Sequence, residues 1–305
     1  MIMYCILPFL VNGATAAAAA FGNVPIQRDR ELTRNALIPV NISLVEDRHV
    51  SGLVVVNMGS FEESIFLPTH LGSQSTSGNL TIPGIGNLNV PEIFLVSQFP
   101  RPNLGFMNLN LHSSYANALR SFLITPSELV VRPYSARSYC ARASEYVELN
   151  LFEPTTPRWI VRIANSGQRV IIDTNKRIDL SREDYGNFMA EINEINEQNG
   201  IDVTTFPNSS SWFVNNCDSD LLDEVWPILS FPIETANGGV YNLEFTPKDY
   251  IRVVGDRCFI EVRESSPLYP DVFYIGNNLF EKYAVDFYSG PVPRMGICLA
   301  APPRV

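Results

Sequence analysis

Basic residues are scarce in this sequence of 305 residues. Lysine and arginine number 22 against 32 aspartate and glutamate residues, which gives a net charge of −10 at neutral pH. No basic cluster stands out along the chain. Because nucleic acids and anionic membranes are bound through basic surfaces, neither is expected as a partner.

Long apolar runs are absent after the first twenty residues. The segment Met1–Ala20 has an apolar core followed by a run of alanine, although it lacks the usual positive residue after Met1. This pattern is typical of a secretory signal peptide, with a buried start of the mature chain as the alternative. The segment is short for a membrane-spanning helix. We therefore expect no membrane span and a secreted or lumenal protein.

Several patterns of catalytic and ligand-binding residues are also missing. The histidines His49, His70 and His112 show no metal-ligand spacing with the cysteines. No glycine-rich phosphate-binding loop occurs, and Ser60 has no histidine and aspartate partners nearby in sequence. The sequence therefore predicts neither a metal ion nor a cofactor.

What the sequence does contain is typical of a mostly β protein. Its 22 prolines and 18 phenylalanines favour strands and turns over long helices. A hydrophobic content of 46% with 18% charged residues is ordinary for a globular chain. A chain of this length forms one large or two medium domains.

The cysteine count fits an oxidising compartment. Cys5 lies in the predicted signal segment, and an even number remains, compatible with two disulfide bonds. The remaining cysteines are Cys140, Cys217, Cys258 and Cys298. The chain also has three candidate glycosylation sequences, at Asn41-Ile-Ser, Asn79-Leu-Thr and Asn208-Ser-Ser.

Two similar stretches organise the chain. Val170–Arg177 reads Val-Ile-Ile-Asp-Thr-Asn-Lys-Arg, and Leu53–Ser60 reads Leu-Val-Val-Val-Asn-Met-Gly-Ser. Each is a run of aliphatic residues that ends in a short polar turn, which is typical of a buried strand delivering one polar side chain to a site. These side chains are Asp173 and Asn57. Two such turns, far apart in sequence, predict two lobes that each contribute half of a central site.

These stretches resemble the pepsin-like aspartic peptidases, in which each lobe carries a hydrophobic-hydrophobic-Asp-Thr-Gly-Ser/Thr turn. The resemblance implies a mostly β, bilobal fold with a signal peptide over residues 1–20, an N-terminal lobe over 21–155 and a C-terminal lobe over 156–305. In the family, the two aspartates share one proton and activate a water molecule that attacks a peptide bond.

The first turn departs from the family pattern at its catalytic position. Asn57 stands in place of the aspartate and Met58 in place of the threonine, whereas Gly59 and Ser60 fit. An amide neither accepts nor releases a proton at any working pH, so the shared-proton arrangement is lost.

The second turn keeps the aspartate. Asp173 and Thr174 fit the pattern, whereas Asn175 replaces the glycine and Lys176 replaces the hydroxyl residue. The Lys176 ammonium either lies near the Asp173 carboxylate, where it would favour the ionised form, or faces solvent. A β-carbon at Asn175 crowds the turn unless the residue adopts a left-handed conformation, which asparagine tolerates.

The first lobe is predicted to be shorter than in the family. After Pro68 the family has a long excursion that includes a β-hairpin flap, whose tyrosine closes over the substrate. No tyrosine occurs between Gly59 and Gly105, so we expect this flap to be missing or reduced to a stub. Ser121–Ile124 and Glu128–Val131 match the pair of strands that close the lobe.

The second lobe matches the family more continuously. Ser181 is predicted to cap a helix, with acidic residues in its first turn and apolar residues at helical spacing. Val272–Tyr288 resembles the family's strand, Ile-Leu-Gly-Asp turn, helix and return strand, with Asn277 in the place of an acidic residue. The resemblance also implies a Cys217–Cys258 disulfide, and Cys140–Cys298 is the remaining pair.

The sequence therefore predicts a pepsin-like aspartic peptidase homologue that has lost catalysis and keeps the interlobe cleft for a peptide or protein ligand. The alternative is a divergent active endopeptidase that uses Asp173 with a non-standard partner, such as Glu62 or Glu63. An inhibitor-like or surface-adhesion protein on the same scaffold is a third class.

Overall fold

Strands dominate the described part of the chain and confirm the mostly β fold class. The structure, a computed structural model, describes residues 22–28, 36–44, 49–58, 65–68, 74–82, 86–96, 104–109, 111, 116, 119–131, 134–174, 176–205, 212–215, 217–266 and 272–302. The strands up to residue 131 are β1 (Gly22–Pro25), β2 (Gln27–Arg28), β3 (Ala36–Leu44), β4 (His49–Asn57), β5 (Ile65–Pro68), β6 (Gln74–Ile82), β7 (Gly86–Val96), β8 (Leu104–Asn108), β9 (Ser121–Ile124) and β10 (Glu128–Val131).

The later part of the chain adds further strands and short helices. Its strands are β11 (Val147–Leu149), β12 (Ile160–Arg162), β13 (Arg169–Ile172), β14 (Ile178–Leu180), β15 (Val203–Thr205), β16 (Trp212–Asn215), β17 (Leu229–Glu234), β18 (Val240–Phe245), β19 (Ile251–Val254), β20 (Arg257–Ile260), β21 (Val262–Glu264), β22 (Val272–Ile275), β23 (Tyr283–Tyr288) and β24 (Arg294–Leu299). Its α-helices are α1 (Arg182–Asn199), α2 (Ser219–Val225), α3 (Pro247–Tyr250) and α4 (Asn277–Lys282).

The N-terminal part of the chain builds a seven-stranded sheet in the order β2-β3-β4-β8-β5-β7-β6. An additional pairing of β3 with β6 closes the sheet on itself. The aliphatic strand β4 runs antiparallel to β3 and parallel to β8, so it has a hydrogen-bonded neighbour on each side. A run of aliphatic residues suits such an interior position.

A six-stranded sheet combines strands from both ends of the chain, in the order β1-β10-β9-β23-β24-β11. β9 pairs antiparallel with β23, which places Phe122 opposite Phe287. The two rings stack with centroids 5.0 Å apart, and the Trp159 ring lies 4.8 Å from Phe287. The Trp159 indole nitrogen also donates to the Leu109 carbonyl oxygen at 3.0 Å. The two ends of the chain therefore share one hydrophobic core.

The C-terminal part forms three smaller sheets, and the second polar turn follows strand β13 of the largest of them. A five-stranded sheet has the order β12-β13-β22-β14-β21, with β13 parallel to β22. A four-stranded sheet has the order β15-β16-β20-β19, and β17 pairs with β18. Val170, Ile172 and Ile275 are fully buried at 0% exposure, which explains why these strands read as continuous aliphatic runs.

Helix α1 begins where the sequence predicts. The Ser181 side chain accepts a hydrogen bond from the Asp184 backbone nitrogen, and the helix ends at Gly200 in the left-handed conformation. The buried face of the helix includes Phe188, Met189 and Ile192. The apolar stripe therefore packs the helix onto the core, as expected from its spacing.

Two disulfide bonds are present, Cys140–Cys298 and Cys217–Cys258. The second joins the segment before α2 to strand β20, at the position that the family resemblance implies. In the described residues, none of the helices is both long and apolar enough to span a bilayer.

Candidate functional site

The first polar turn begins where β4 ends, at Asn57. The residues on either side of it, Val56 and Met58, are fully buried at 0% exposure. β4 and β8 run parallel up to the pair Asn57 and Asn108. The Asn57 side chain, together with residues Gly59 and Ser60, lies outside what the structure describes.

The second polar turn begins directly after β13. Asp173 follows Ile172 and is 6% exposed. Its backbone nitrogen donates to the Ile275 carbonyl oxygen at 3.1 Å, and its own carbonyl oxygen accepts from the Lys176 nitrogen at 2.9 Å. The turn is therefore held at its start by β22 and by a backbone bond between Asp173 and Lys176. Asn175 lies outside the described residues.

Thr174 connects the two turns. Its side-chain oxygen Oγ1 donates to the Val56 carbonyl oxygen at 2.7 Å and accepts from the Met58 nitrogen at 2.9 Å. A single buried hydroxyl thus bonds the residues immediately before and after Asn57. Met58 has no hydroxyl, so its side chain cannot form the same pair of bonds in return. The two turns that the sequence singled out meet in the structure.

The segment between β22 and α4 supports the second turn from behind. A β-carbon at Gly276 would lie 2.0 Å from the Lys176 carbonyl oxygen and 2.5 Å from the Asp173 carbonyl oxygen, so only glycine allows this close approach. The Asn277 amide nitrogen Nδ2 donates to the Thr174 carbonyl oxygen at 2.7 Å, and Asn277 is 3% exposed. An ionised carboxylate cannot donate this bond, which explains an amide where the family has an acidic residue.

The Lys176 side chain forms an ion pair with a residue that sequence reasoning missed. Its Nζ lies 3.3 Å from the Asp179 carboxylate and 5.1 Å from the centre of the Tyr274 ring. Burial raises the pKa of the Asp179 carboxyl above its ordinary value of 3.8, and the Lys176 ammonium opposes that rise. The two residues are not on a helix, so their spacing of three residues did not predict this contact.

A buried group of charges lies just beyond the turn. Glu261 is 2% exposed and contacts the Arg177 guanidinium at 3.1 Å and the Arg252 guanidinium at 2.9 Å. Arg177 ends the stretch that carries Asp173, so this triad anchors the far end of the turn. Arg177 lies just before β14, Arg252 lies in β19, and Glu261 lies between β20 and β21, so no local sequence pattern predicts the group.

A long β-hairpin occupies the stretch where a missing or stub flap was expected, so that prediction is wrong. β6 and β7 pair antiparallel from Gln74 opposite Leu95 to Ile82 opposite Gly86. β6 also pairs with β3, with Thr81 opposite Asn41. The pairings of β3 with β4 and with β6 put Thr81 near the level of Ser51, so the hairpin runs in the direction of Asn57 and its last described pair lies level with the middle of β4. The family tyrosine remains absent.

The described residues contain no candidate metal site. Within the described ranges, no group of three or more histidine, cysteine, aspartate or glutamate side chains is placed to hold a metal ion. Glu62 and Glu63, the substitute carboxylates considered from the sequence, lie outside those ranges.

Comparison with known proteins supports the fold and nothing finer. No protein-family model matches the sequence, and no curated protein matches it. Among solved structures, the crystal structure of basic 7S globulin from soybean matches with a TM-score of 0.61 and 10% identity, covering 93% of this chain and 98% of that chain. Basic 7S globulin has the pepsin-like fold. This chain therefore has a mostly β, bilobal, pepsin-like aspartic peptidase fold.

Proposed function

We propose that this protein is a pepsin-like aspartic peptidase homologue that does not cleave peptide bonds and binds a peptide or protein in its interlobe cleft. The observation that carries the proposal is the Thr174 hydroxyl, which bonds the backbone on both sides of Asn57. The backbone of Asn57 is thereby held beside the turn of Asp173, and the family resemblance of the sequence assigns Asn57 to the place of a second aspartate.

The missing carboxyl removes the chemistry of the pair. Two carboxyls in contact cannot both ionise, so one becomes the base that activates water and the other the acid. Asn57 offers an amide, which does neither. Removal of one general acid–base partner typically costs about a hundred- to ten-thousand-fold in rate, and a pair acting as a unit loses more.

The described residues of the second turn are nevertheless held by buried contacts, which supports binding as the retained role. Thr174, Gly276 and Asn277 hold the second turn through buried contacts. We infer that the β6–β7 hairpin, which pairs with β3 in the first lobe, forms one wall for a bound chain. A cleft between two lobes suits an extended polypeptide.

Restoring the second carboxyl tests the proposal. The unmodified protein, Asn57→Asp and the double variant Asn57→Asp with Asp173→Ala are incubated with unfolded protein substrate at acidic pH, with and without a pepstatin-type inhibitor. We expect inhibitor-sensitive cleavage by Asn57→Asp alone. Inhibitor-sensitive cleavage by the unmodified protein that Asp173→Ala abolishes would instead establish the divergent active peptidase.

Binding is tested separately from cleavage. Isothermal titration with the pepstatin-type inhibitor, a peptide-like probe, should show a complex with the unmodified protein. Asp173→Ala should weaken that complex, whereas Asp202→Ala, a substitution at an exposed aspartate, should leave it unchanged. Absence of any complex would favour the inhibitor-like or adhesion class, which pull-down from native secretions would then examine.

We also propose the secretory pathway as its location. The two disulfide bonds support an oxidising compartment. The candidate signal peptide and the sequence at Asn208 lie outside the described residues, while Asn41 and Asn79 lie in strands β3 and β6. Mass measurement of the secreted protein before and after glycosidase treatment tests cleavage and glycosylation together.

A further inference from the structure

One edge of β17 is uncovered over its first residues. The other edge is paired with β18, from Leu229 opposite Phe245 to Glu234 opposite Val240. On the uncovered side, the Pro232 carbonyl oxygen accepts from the Ala164 nitrogen at 2.7 Å. Because backbone groups alternate along a strand, those of Ser230 point the same way as those of Pro232. No strand in the described part of the chain pairs with Ser230 on that side.

A groove of about 330 Å³ runs between this edge and helix α1. Its floor includes Phe188, Phe231 and Phe273, each 4% exposed. Ile228 stands at its rim and is 58% exposed. An open strand edge beside an apolar floor is the arrangement to which an extended peptide adds as a further strand, with alternate side chains in the groove.

The charges of the groove favour a basic occupant. Asp184 and Glu191, both on α1, are its only charged lining residues within the described chain, and neither lysine nor arginine lines it. Glu191 is exposed and available to a ligand. A lysine or arginine on the bound strand would therefore meet carboxylates, whereas an acidic peptide would meet charge of its own sign.

We propose that this groove docks an extended segment of a partner protein that pairs with the β17 edge at Ser230. On its groove-facing side the segment carries an apolar side chain and, two residues along, a basic one. The spacing follows from the two-residue period of a strand. The site is built from β17 and α1 and shares no residue with the turns at Asn57 and Asp173, so it stands independently of the proposed function.

Fluorescence anisotropy with a labelled peptide, Thr-Val-Thr-Lys-Thr-Val-Thr-Lys, tests this docking site. The same peptide with glutamate in place of lysine is the charge control. We expect Ser230→Pro, which removes the outward N–H, to weaken binding of the lysine peptide by about tenfold or more. Ser230→Ala keeps that N–H and should change binding less than about twofold.

Charge reversal gives a second, independent measurement. Glu191→Lys should weaken binding of the lysine peptide by about threefold or more and strengthen binding of the glutamate peptide. Glu197→Lys, on the same helix and outside the groove lining, should do neither. Asp173→Ala should leave binding unchanged, which separates this groove from the interlobe cleft.

Three outcomes would each overturn the proposal. Equal binding of the lysine peptide to the unmodified protein and to folded Ser230→Pro would place the peptide elsewhere. A dimer by light scattering that Ser230→Pro dissociates would assign the edge to a second copy of this chain. If Ser230→Pro does not fold, the peptide is changed in place of the protein. Two N-methylated versions of the lysine peptide are used, one methylated at the odd residues and one at the even residues.

Undiminished binding of both versions would exclude strand addition.

Discussion

The Thr174 hydroxyl donates to the Val56 carbonyl oxygen across 118 residues of sequence, at a distance of 2.7 Å. The Thr174 hydroxyl oxygen also accepts a hydrogen bond from the Met58 N–H at 2.9 Å. The two bonds are buried, and in both of them the partner of the backbone group is the Thr174 hydroxyl. The junction between the two polar turns therefore rests on one side chain.

Replacement of Thr174 by valine keeps the shape and removes both bonds. The Val56 carbonyl and the Met58 N–H would stay buried and lose their hydrogen bonds to Thr174. We therefore expect the free energy of unfolding to fall by about 2–4 kcal/mol. Urea denaturation measures this loss. Thr156→Val, which removes an exposed hydroxyl bond to the Glu153 carbonyl, should cost much less. Equal losses for the two variants would contradict the role given to Thr174.

Replacement of Gly276 by alanine should be strongly destabilising. The new β-carbon would meet backbone oxygens of residues 173 and 176, which a side-chain rotation cannot relieve. We expect a loss of about 3 kcal/mol or more by chemical denaturation. Gly186→Ala is the matched control, because its β-carbon would meet nothing within 4 Å in helix α1. That variant should gain about 0.5–1 kcal/mol.

Asp179 should make stability fall as pH rises above about its ordinary pKa of 3.8. Burial raises its pKa in the folded state, so the folded protein holds a proton that the unfolded chain has already released. The stabilisation is complete below the unfolded pKa and is lost as pH rises through the folded pKa.

Asp179→Asn should flatten this decline in a series of denaturation curves from pH 3 upward. Lys176→Met should extend it to higher pH, because the ammonium that lowers the Asp179 pKa is gone. Asp256→Asn, at an exposed position, should leave the slope unchanged. A slope unaffected by Asp179→Asn would show that another group causes it.

Loss of the Glu261 charge should destabilise the protein, because two partly buried arginines lose the carboxylate that they contact. Glu261→Gln leaves Arg177 and Arg252 without their carboxylate, and removal of one partner from a buried group of charges costs about 3–5 kcal/mol. Glu264→Gln breaks an exposed pair with Arg182 at 3.6 Å and should cost less than about 1 kcal/mol. Thermal unfolding of both variants makes the comparison.

Local patterns predicted the elements whose signals are local. The aliphatic runs before Asn57 and Asp173 end as strands β4 and β13, and Ser181 caps α1 as its hydroxyl and following acidic residues indicate. The strand pair β9 and β10 also has the predicted bounds, which came from the family resemblance. These features depend on neighbours within a few residues, so the sequence displays them directly.

Features set by distant partners were missed. The β6–β7 hairpin was discounted because its expected tyrosine is absent, yet its strands are fixed by pairing with β3 and β5. The Glu261 triad joins residues near β14, β19 and β20, and no sequence spacing predicts their contact. The Thr174 bonds to Val56 and Met58 were also invisible, because the sequence shows the threonine but not what lies opposite it.

The pairing of β9 with β23 has a consequence for how the protein is made. Residues 121–124 leave the ribosome long before residues 283–288, with which they form a sheet. The edge of β9 is therefore open throughout most of translation and is a template for mispairing between nascent chains. A message truncated before codon 283 would release a chain with that edge exposed, and chaperone capture of such products is the fate we expect for them.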